Sequence, residues 1–180
     1  MKHLLLLLLG LWLLPIVVAA QEEPAQDNPV IAYDLAWNPG GSQVAVALDD
    51  GVVQIIDATT KQIVATLQGL QSEVFAVGWN NAGDRLAGVN SIGNLFVWDV
   101  SSWHLILSVQ DTEAPDIAYF SLDWKPDNSQ IAVSDSRGSI TIYDSMTGIT
   151  IRRFGSPNGF VQSIDWSPNG AYIVSGGDDA

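Results

Sequence analysis

Apolar and polar positions alternate in short runs from Val30 onward, and clusters of glycine, proline, asparagine and aspartate break the runs. Alternation of period two is the mark of half-buried strands, and no stretch of eleven or more residues keeps the apolar spacing of an amphipathic helix. Aligning the runs predicts four strands per unit, which in the second unit fall at 74–79, 85–89, 95–98 and 104–109.

The strand pattern is itself periodic. Trp37, Trp79, Trp124 and Trp166 recur at steps of 42, 45 and 42 residues, and each precedes a turn: Asn38-Pro39-Gly40-Gly41, Asn80-Asn81-Ala82-Gly83, Lys125-Pro126-Asp127-Asn128 and Ser167-Pro168-Asn169-Gly170. Proline presets the backbone of such a turn, and a final Gly or Asn accepts positive φ. A second turn contains Asp49-Asp50-Gly51, Ser91-Ile92-Gly93 or Ser136-Arg137-Gly138, and a third begins at Asp57, Asp99 or Asp144, whose carboxylates can accept N–H bonds from the residues that follow. A repeated four-stranded unit without helices predicts an all-β fold, a partial β-propeller of about three and a half four-stranded antiparallel blades. The expected divisions are 30–69, 70–110, 111–155 and a half blade at 156–180. A ring needs about four to eight blades to hide its edges. The expectation is therefore the N-terminal part of a longer protein, with completion by another chain or a solitary arc as alternatives.

Residues 1–20 differ from the rest. Lys2 and His3 precede an apolar run from Leu4 to Leu14, and Val18-Ala19-Ala20 offers small side chains before polar residues. This reads as a secretory signal peptide, with an uncleaved membrane anchor as the alternative. Residues 21–29, with two prolines and little that is apolar, read as a linker. A secreted or periplasmic protein with no membrane contact after cleavage is the resulting expectation.

Charge narrows the partners. Without Lys2 the chain holds 6 basic residues against 20 acidic ones, a net charge of −14, which argues against nucleic acid because phosphate binding needs clustered Lys and Arg. The absence of cysteine removes disulfides and the usual His/Cys zinc sites. His104, the one histidine after residue 20, sits on an expected outer strand and reads as a surface residue. The acidic pairs Asp49-Asp50 and Asp178-Asp179 lack the alternating spacing of a calcium loop and read as turn residues. No catalytic residue, metal or cofactor is implied. Trp103, just outside a third turn, is expected to be exposed, as a contact or as a cover over the blade edge.

Trp166-Ser167-Pro168-Asn169-Gly170, Ser175 to Asp179, and Trp98-Asp99 closing a third strand resemble the WD-repeat β-propellers. Ile56 and Tyr143 stand where Trp98 stands in the second unit, and Gly69-Leu70 replaces the family's Gly-His pair. The family's buried Trp–Ser–His–Asp network is therefore incomplete in every unit. In that family, partners often dock on the face bearing the start of the first strand and the turn between second and third strands. Carried over by position, the resemblance implies first-strand contacts at Ile31 and Tyr33, Glu73 and Phe75, Ala118 and Phe120, and Phe160 and Gln162. It implies turn contacts at Asp49, Ser91, Ser136 and Asp178. Of these, Tyr33, Glu73, Phe75, Phe120, Phe160, Asp49, Ser136 and Asp178 are the principal candidates for an anchor-and-rim face. The function implied is a scaffold that binds a protein or peptide. The alternative is a propeller enzyme or carbohydrate-binding protein whose active residues lie mostly beyond these repeats.

Overall fold

A computed structural model of the protein describes residues 30–110, 116–155 and 159–178. The segments 1–20 and 21–29 and the chain end at Ala180 lie outside the described residues. Strands β1 (Ala32–Trp37), β2 (Gln43–Leu48), β3 (Val53–Asp57) and β4 (Ile63–Leu67) form the first sheet. The second holds β5 (Val74–Trp79), β6 (Arg85–Asn90), β7 (Asn94–Asp99) and β8 (Leu105–Gln110), and the third β9 (Tyr119–Trp124), β10 (Gln130–Asp135), β11 (Ser139–Asp144) and β12 (Thr150–Gly155). A two-stranded sheet of β13 (Val161–Trp166) and β14 (Ile173–Gly177) follows. Every paired strand is the chain neighbour of its partner and antiparallel to it, so each four-stranded sheet is a meander and a propeller blade, and β13-β14 is a hairpin equivalent to the first half of one. No helix among the described residues is long and apolar enough to cross a membrane.

Polar side chains close the turns as the sequence predicts. Asp57 Oδ1 accepts the N–H groups of Thr59 and Thr60 at 3.0 and 2.7 Å, and Asp144 Oδ1 accepts those of Met146 and Thr147 at 3.1 and 2.8 Å. Asp99 Oδ1 accepts the Ser101 hydroxyl at 2.6 Å and the Ser102 N–H at 3.0 Å. These bonds favour the charged carboxylates and hold all three below the usual range. Gly41, Gly83 and Gly170 end the turns after the tryptophans at positive φ, and Asn128 takes the same conformation in the third blade at φ 63°.

The core lies between blades rather than within them. Val53, Ile55 and Leu67 of the first blade meet Val77, Trp79 and Leu86 of the second. Ala87, Val89 and Val97 of the second meet Leu122, Trp124 and Ile131 of the third, and Ala132 and Ile140 of the third meet Ile164 and Trp166 of the fourth sheet. Hydrogen bonds join the same surfaces. Trp79 Nε1 donates to Ala36 O at 3.1 Å and Trp124 Nε1 to Gly78 O at 2.9 Å, so each of these two tryptophans bonds the carbonyl just before the preceding tryptophan. Asp34 Oδ2 accepts the Val77 N–H at 2.9 Å, and Asp123 Oδ2 accepts the Trp166 N–H at 2.6 Å.

Two details depart from, or extend, the sequence reading. Trp103 is partly buried rather than exposed, because its backbone at φ 57° folds the indole edge-on to Trp79, with ring centroids 5.8 Å apart. It covers the seam between the first two blades. Leu70, standing where the resemblance leads one to expect histidine, is buried in that same core, and its carbonyl accepts Asn90 Nδ2 at 2.9 Å. A buried amide thus ties the second blade to the loop that enters it.

Candidate functional site

The first strand of each sheet carries an irregularity at one equivalent place. Register shifts separate Ala32 from Asp34, Val74 from Ala76, Tyr119 from Ser121 and Val161 from Ser163. The skipped residues are Tyr33, Phe75, Phe120 and Gln162, each four positions before its blade's tryptophan. A bulge leaves one residue unpaired and re-aims its side chain, which is why bulges gather beside binding sites. Here the re-aimed side chains meet across blades.

Tyr33 and Phe75 pack edge to face with centroids 5.1 Å apart and planes at 85°. Phe75 stacks on Phe120 at 5.7 Å and 18°, and Phe120 meets Phe160 at 5.6 Å and 49°. In the fourth sheet the bulge holds Gln162, and Phe160, two residues earlier, completes the row instead. All four rings keep some solvent exposure, and Tyr33 is 48% exposed. Together with Gln162 they line an open cavity of about 510 Å³.

The expected turn residues hold the starts of these strands. The Asp49, Ser91, Ser136 and Asp178 N–H groups donate to the carbonyls of Ile31, Glu73, Ala118 and Phe160 at 3.0, 3.0, 2.9 and 3.1 Å. Asp49 Oδ1 accepts the Ile31 N–H at 3.0 Å, and Ser136 Oγ accepts the Ala118 N–H at 3.1 Å. The Asp49 carboxylate thus ties its turn to the residue that leads into β1, eighteen positions earlier, and in each blade a residue of the turn between second and third strands bonds the residue at or just before the start of the first. Glu73 Oε2 accepts the Ser72 hydroxyl at 2.5 Å and the Ser91 hydroxyl at 2.6 Å, and the two serines also bond each other. The Ser72 hydroxyl, followed by that of Ser91, holds Glu73 down at about 2, so it is ionised at neutral pH. Asp49, Asp50 and Glu73 share a second open cavity of about 640 Å³ between the first two blades.

Sequence reading missed Ser72 and Asp50 as members of this face. Ser72 lies in the loop entering the second blade, where no strand periodicity marks it; the one available signal was its place beside Glu73. His104 is exposed, far along the chain from these residues, and donates its backbone N–H to Ser102 Oγ. Among the described residues no three His, Cys, Asp or Glu side chains gather where they could hold a metal ion.

Consecutive four-stranded blades with their cores between them, and an aromatic row that joins their first strands, define a β-propeller repeat protein. The chain belongs to the WD-repeat family: a family model described as the anaphase-promoting complex subunit 4 WD40 domain matches residues 12–82 and 82–169. It is 28% identical to the WD repeat-containing protein VIP3 of Arabidopsis thaliana over 145 residues, 74% of this chain and 45% of that protein. It is 27% identical to the nuclear distribution protein PAC1 of Arthroderma benhamiae, covering 81% of this chain and 33% of that protein. To the mouse U3 small nucleolar RNA-associated protein 4 homolog it is also 27% identical, over 73% of this chain and 20% of that protein. The chain thus spans less than half the length of each of these relatives. WD-repeat proteins serve as protein-interaction scaffolds and are typically non-enzymatic.

These relatives correct the expected location. Two of their names point to nuclear distribution and small nucleolar RNA, and none of the three names a secreted or periplasmic protein. The expectation rested on the basic start, apolar run and small residues of segment 1–20 alone, and the family match begins inside that segment, at residue 12.

Proposed function

We propose that this chain is a non-catalytic scaffold that captures a protein or peptide partner on the face formed by Tyr33, Phe75, Phe120 and Phe160, with Asp49, Glu73, Ser136 and Asp178 around them. The carrying observation is the aromatic row itself: three consecutive blades use the same bulge to turn an aromatic ring out of the strand, and the fourth supplies Phe160 from a neighbouring position. Rings that merely filled inter-blade space would be buried, as Trp79 and Trp124 are. Large, rigid aromatic anchors inside a polar rim are the composition that concentrates binding energy.

The test compares wild type with a Phe75→Ala/Phe120→Ala variant in affinity capture from the source organism, with circular dichroism and thermal melting as folding controls. A partner retained by wild type should be lost from the folded variant, a drop of roughly tenfold or more in affinity for anchors of this kind. Equal capture by both proteins removes this face from the function.

A further inference from the structure

The aromatic row and the acidic cavity adjoin at the start of β5, and their chemistry selects the partner. Phe75 lines the first cavity and Glu73, two residues earlier, lines the second. Two residues of chain reach at most about 7 Å, which is also about the reach between alternate side chains of an extended peptide. The acidic cavity contains three carboxylates, Asp49, Asp50 and Glu73, and no Lys or Arg among its lining residues. Asp50 is exposed and makes no hydrogen bond among the described residues, while Glu73 is kept ionised by its two serines. The chain as a whole carries 20 acidic side chains against 7 basic ones, so nothing in its balance offsets this field.

We propose that the partner is a basic peptide segment in extended conformation, with an aromatic anchor seated on the row from Tyr33 to Phe160 and an arginine or lysine about two residues away in the cavity of Asp49, Asp50 and Glu73. This rests on the binding-face reading above and names the occupant. The rings give the anchor offset and edge-on partners, and their faces also attract a passing cation. The carboxylates accept the cation at the rim, where charge governs partner choice and association rate more than total affinity. An acidic peptide of the same shape would meet repulsion at the same place.

The probes are three fluorescein-labelled peptides on a Gly-Ser background: one with Trp-Gly-Arg at its centre, one with Trp-Gly-Glu and one with Ala-Gly-Arg. Fluorescence anisotropy with the full chain should give the Trp-Gly-Arg peptide roughly tenfold tighter binding than the Trp-Gly-Glu peptide in 50 mM salt, narrowing as salt screens the rim. Asp50→Asn/Glu73→Gln should shrink that preference to about twofold while leaving the Trp-Gly-Glu peptide no weaker. Phe75→Ala/Phe120→Ala should abolish binding of both tryptophan peptides, and the Ala-Gly-Arg peptide should bind weakly throughout. Equal binding of the Arg and Glu peptides, lost in the phenylalanine variant, overturns the basic-partner inference and leaves the aromatic face standing. Binding of the Arg peptide that survives the phenylalanine variant overturns both readings, and failure of wild type to bind either tryptophan peptide at millimolar concentration overturns the inference.

Discussion

The tryptophan that ends each first strand occupies the same place in every sheet, yet Trp124 is 5% exposed and Trp37 is 62% exposed. The residue two positions earlier repeats the contrast, with Leu122 buried and Leu35 64% exposed. Sequence and strand geometry are alike at the two sites. What differs is the neighbour: Trp124 points back into the second blade, whereas no described sheet stands behind Trp37. A blade is therefore a unit of hydrogen bonding, and burial belongs to pairs of blades. The sharpest way to break this comparison is alanine at each tryptophan. Trp124→Ala should cost about 3–5 kcal/mol through lost contact and cavity, along with the bond to Gly78 O. Trp37→Ala should cost less than about 1 kcal/mol. Urea denaturation checks both, and equal losses would mean that Trp37 is covered in solution by another chain or copy.

The same contrast extends to glycine. A Cβ on Gly78, in β5, would lie 2.8 Å from Leu122 Cδ1 across the seam between the second and third blades. A Cβ on Gly176, in β14 at the open side of the fourth sheet, would meet nothing within 4 Å. Gly78→Ala should therefore destabilise by about 1–3 kcal/mol through overpacking, and Gly176→Ala should stay within about 0.5 kcal/mol of wild type. Thermal melting of the pair reads the difference. If Gly78→Ala melts with wild type, the seam is looser than its packing implies.

Most of what is local in this fold was legible in the residues. Aspartate at the start of each third turn, and glycine or Asn128 at the end of the first, carry their geometry in their own chemistry, and the structure places them accordingly. Alignment by period also brought Tyr33, Phe75 and Phe120 to equivalent positions. The bulges that aim them were hidden, since an unpaired residue changes the side-chain parity of a strand without changing its composition. Phe160 reaching the row in place of Gln162 depends on that hidden register. Trp103 was misjudged for a related reason: lying outside a strand says nothing of where a residue at positive φ sends its ring. The hydrogen bonds from one blade to the next, from Trp79 to Ala36 and from Val77 to Asp34, join residues 43 positions apart and become visible only when the blades are set side by side.

The smallest expected effect separates two carboxyls, Asp123 in a seam between sheets and Glu73 at the entry to the second blade, by pH. Asp123, partly buried between the third blade and the fourth sheet, is pushed up to about 6 by burial, with the neighbouring charge of Asp165 adding to it against the opposing bond from the Trp166 N–H. A carboxyl whose folded value lies above its unfolded value near 4 binds more protons in the folded state between those limits. Its contribution to stability therefore falls as pH rises from about 4 to about 6 and is flat above. Glu73 has the opposite sign: held at about 2, it contributes fully above about 4.5 and loses that contribution as pH falls toward 2. The interval from pH 5 to pH 7 thus tests Asp123 while leaving Glu73 charged. Wild type should melt higher at pH 5 than Asp123→Asn predicts from its own pH dependence, by roughly 1–3 °C after solvent screening. The asparagine still accepts the Trp166 N–H but cannot titrate, so groups common to both proteins cancel in the difference. Parallel pH profiles for the two proteins would show that Asp123 is charged throughout, and that the seam between the third blade and the fourth sheet tolerates two adjacent carboxylates without a proton.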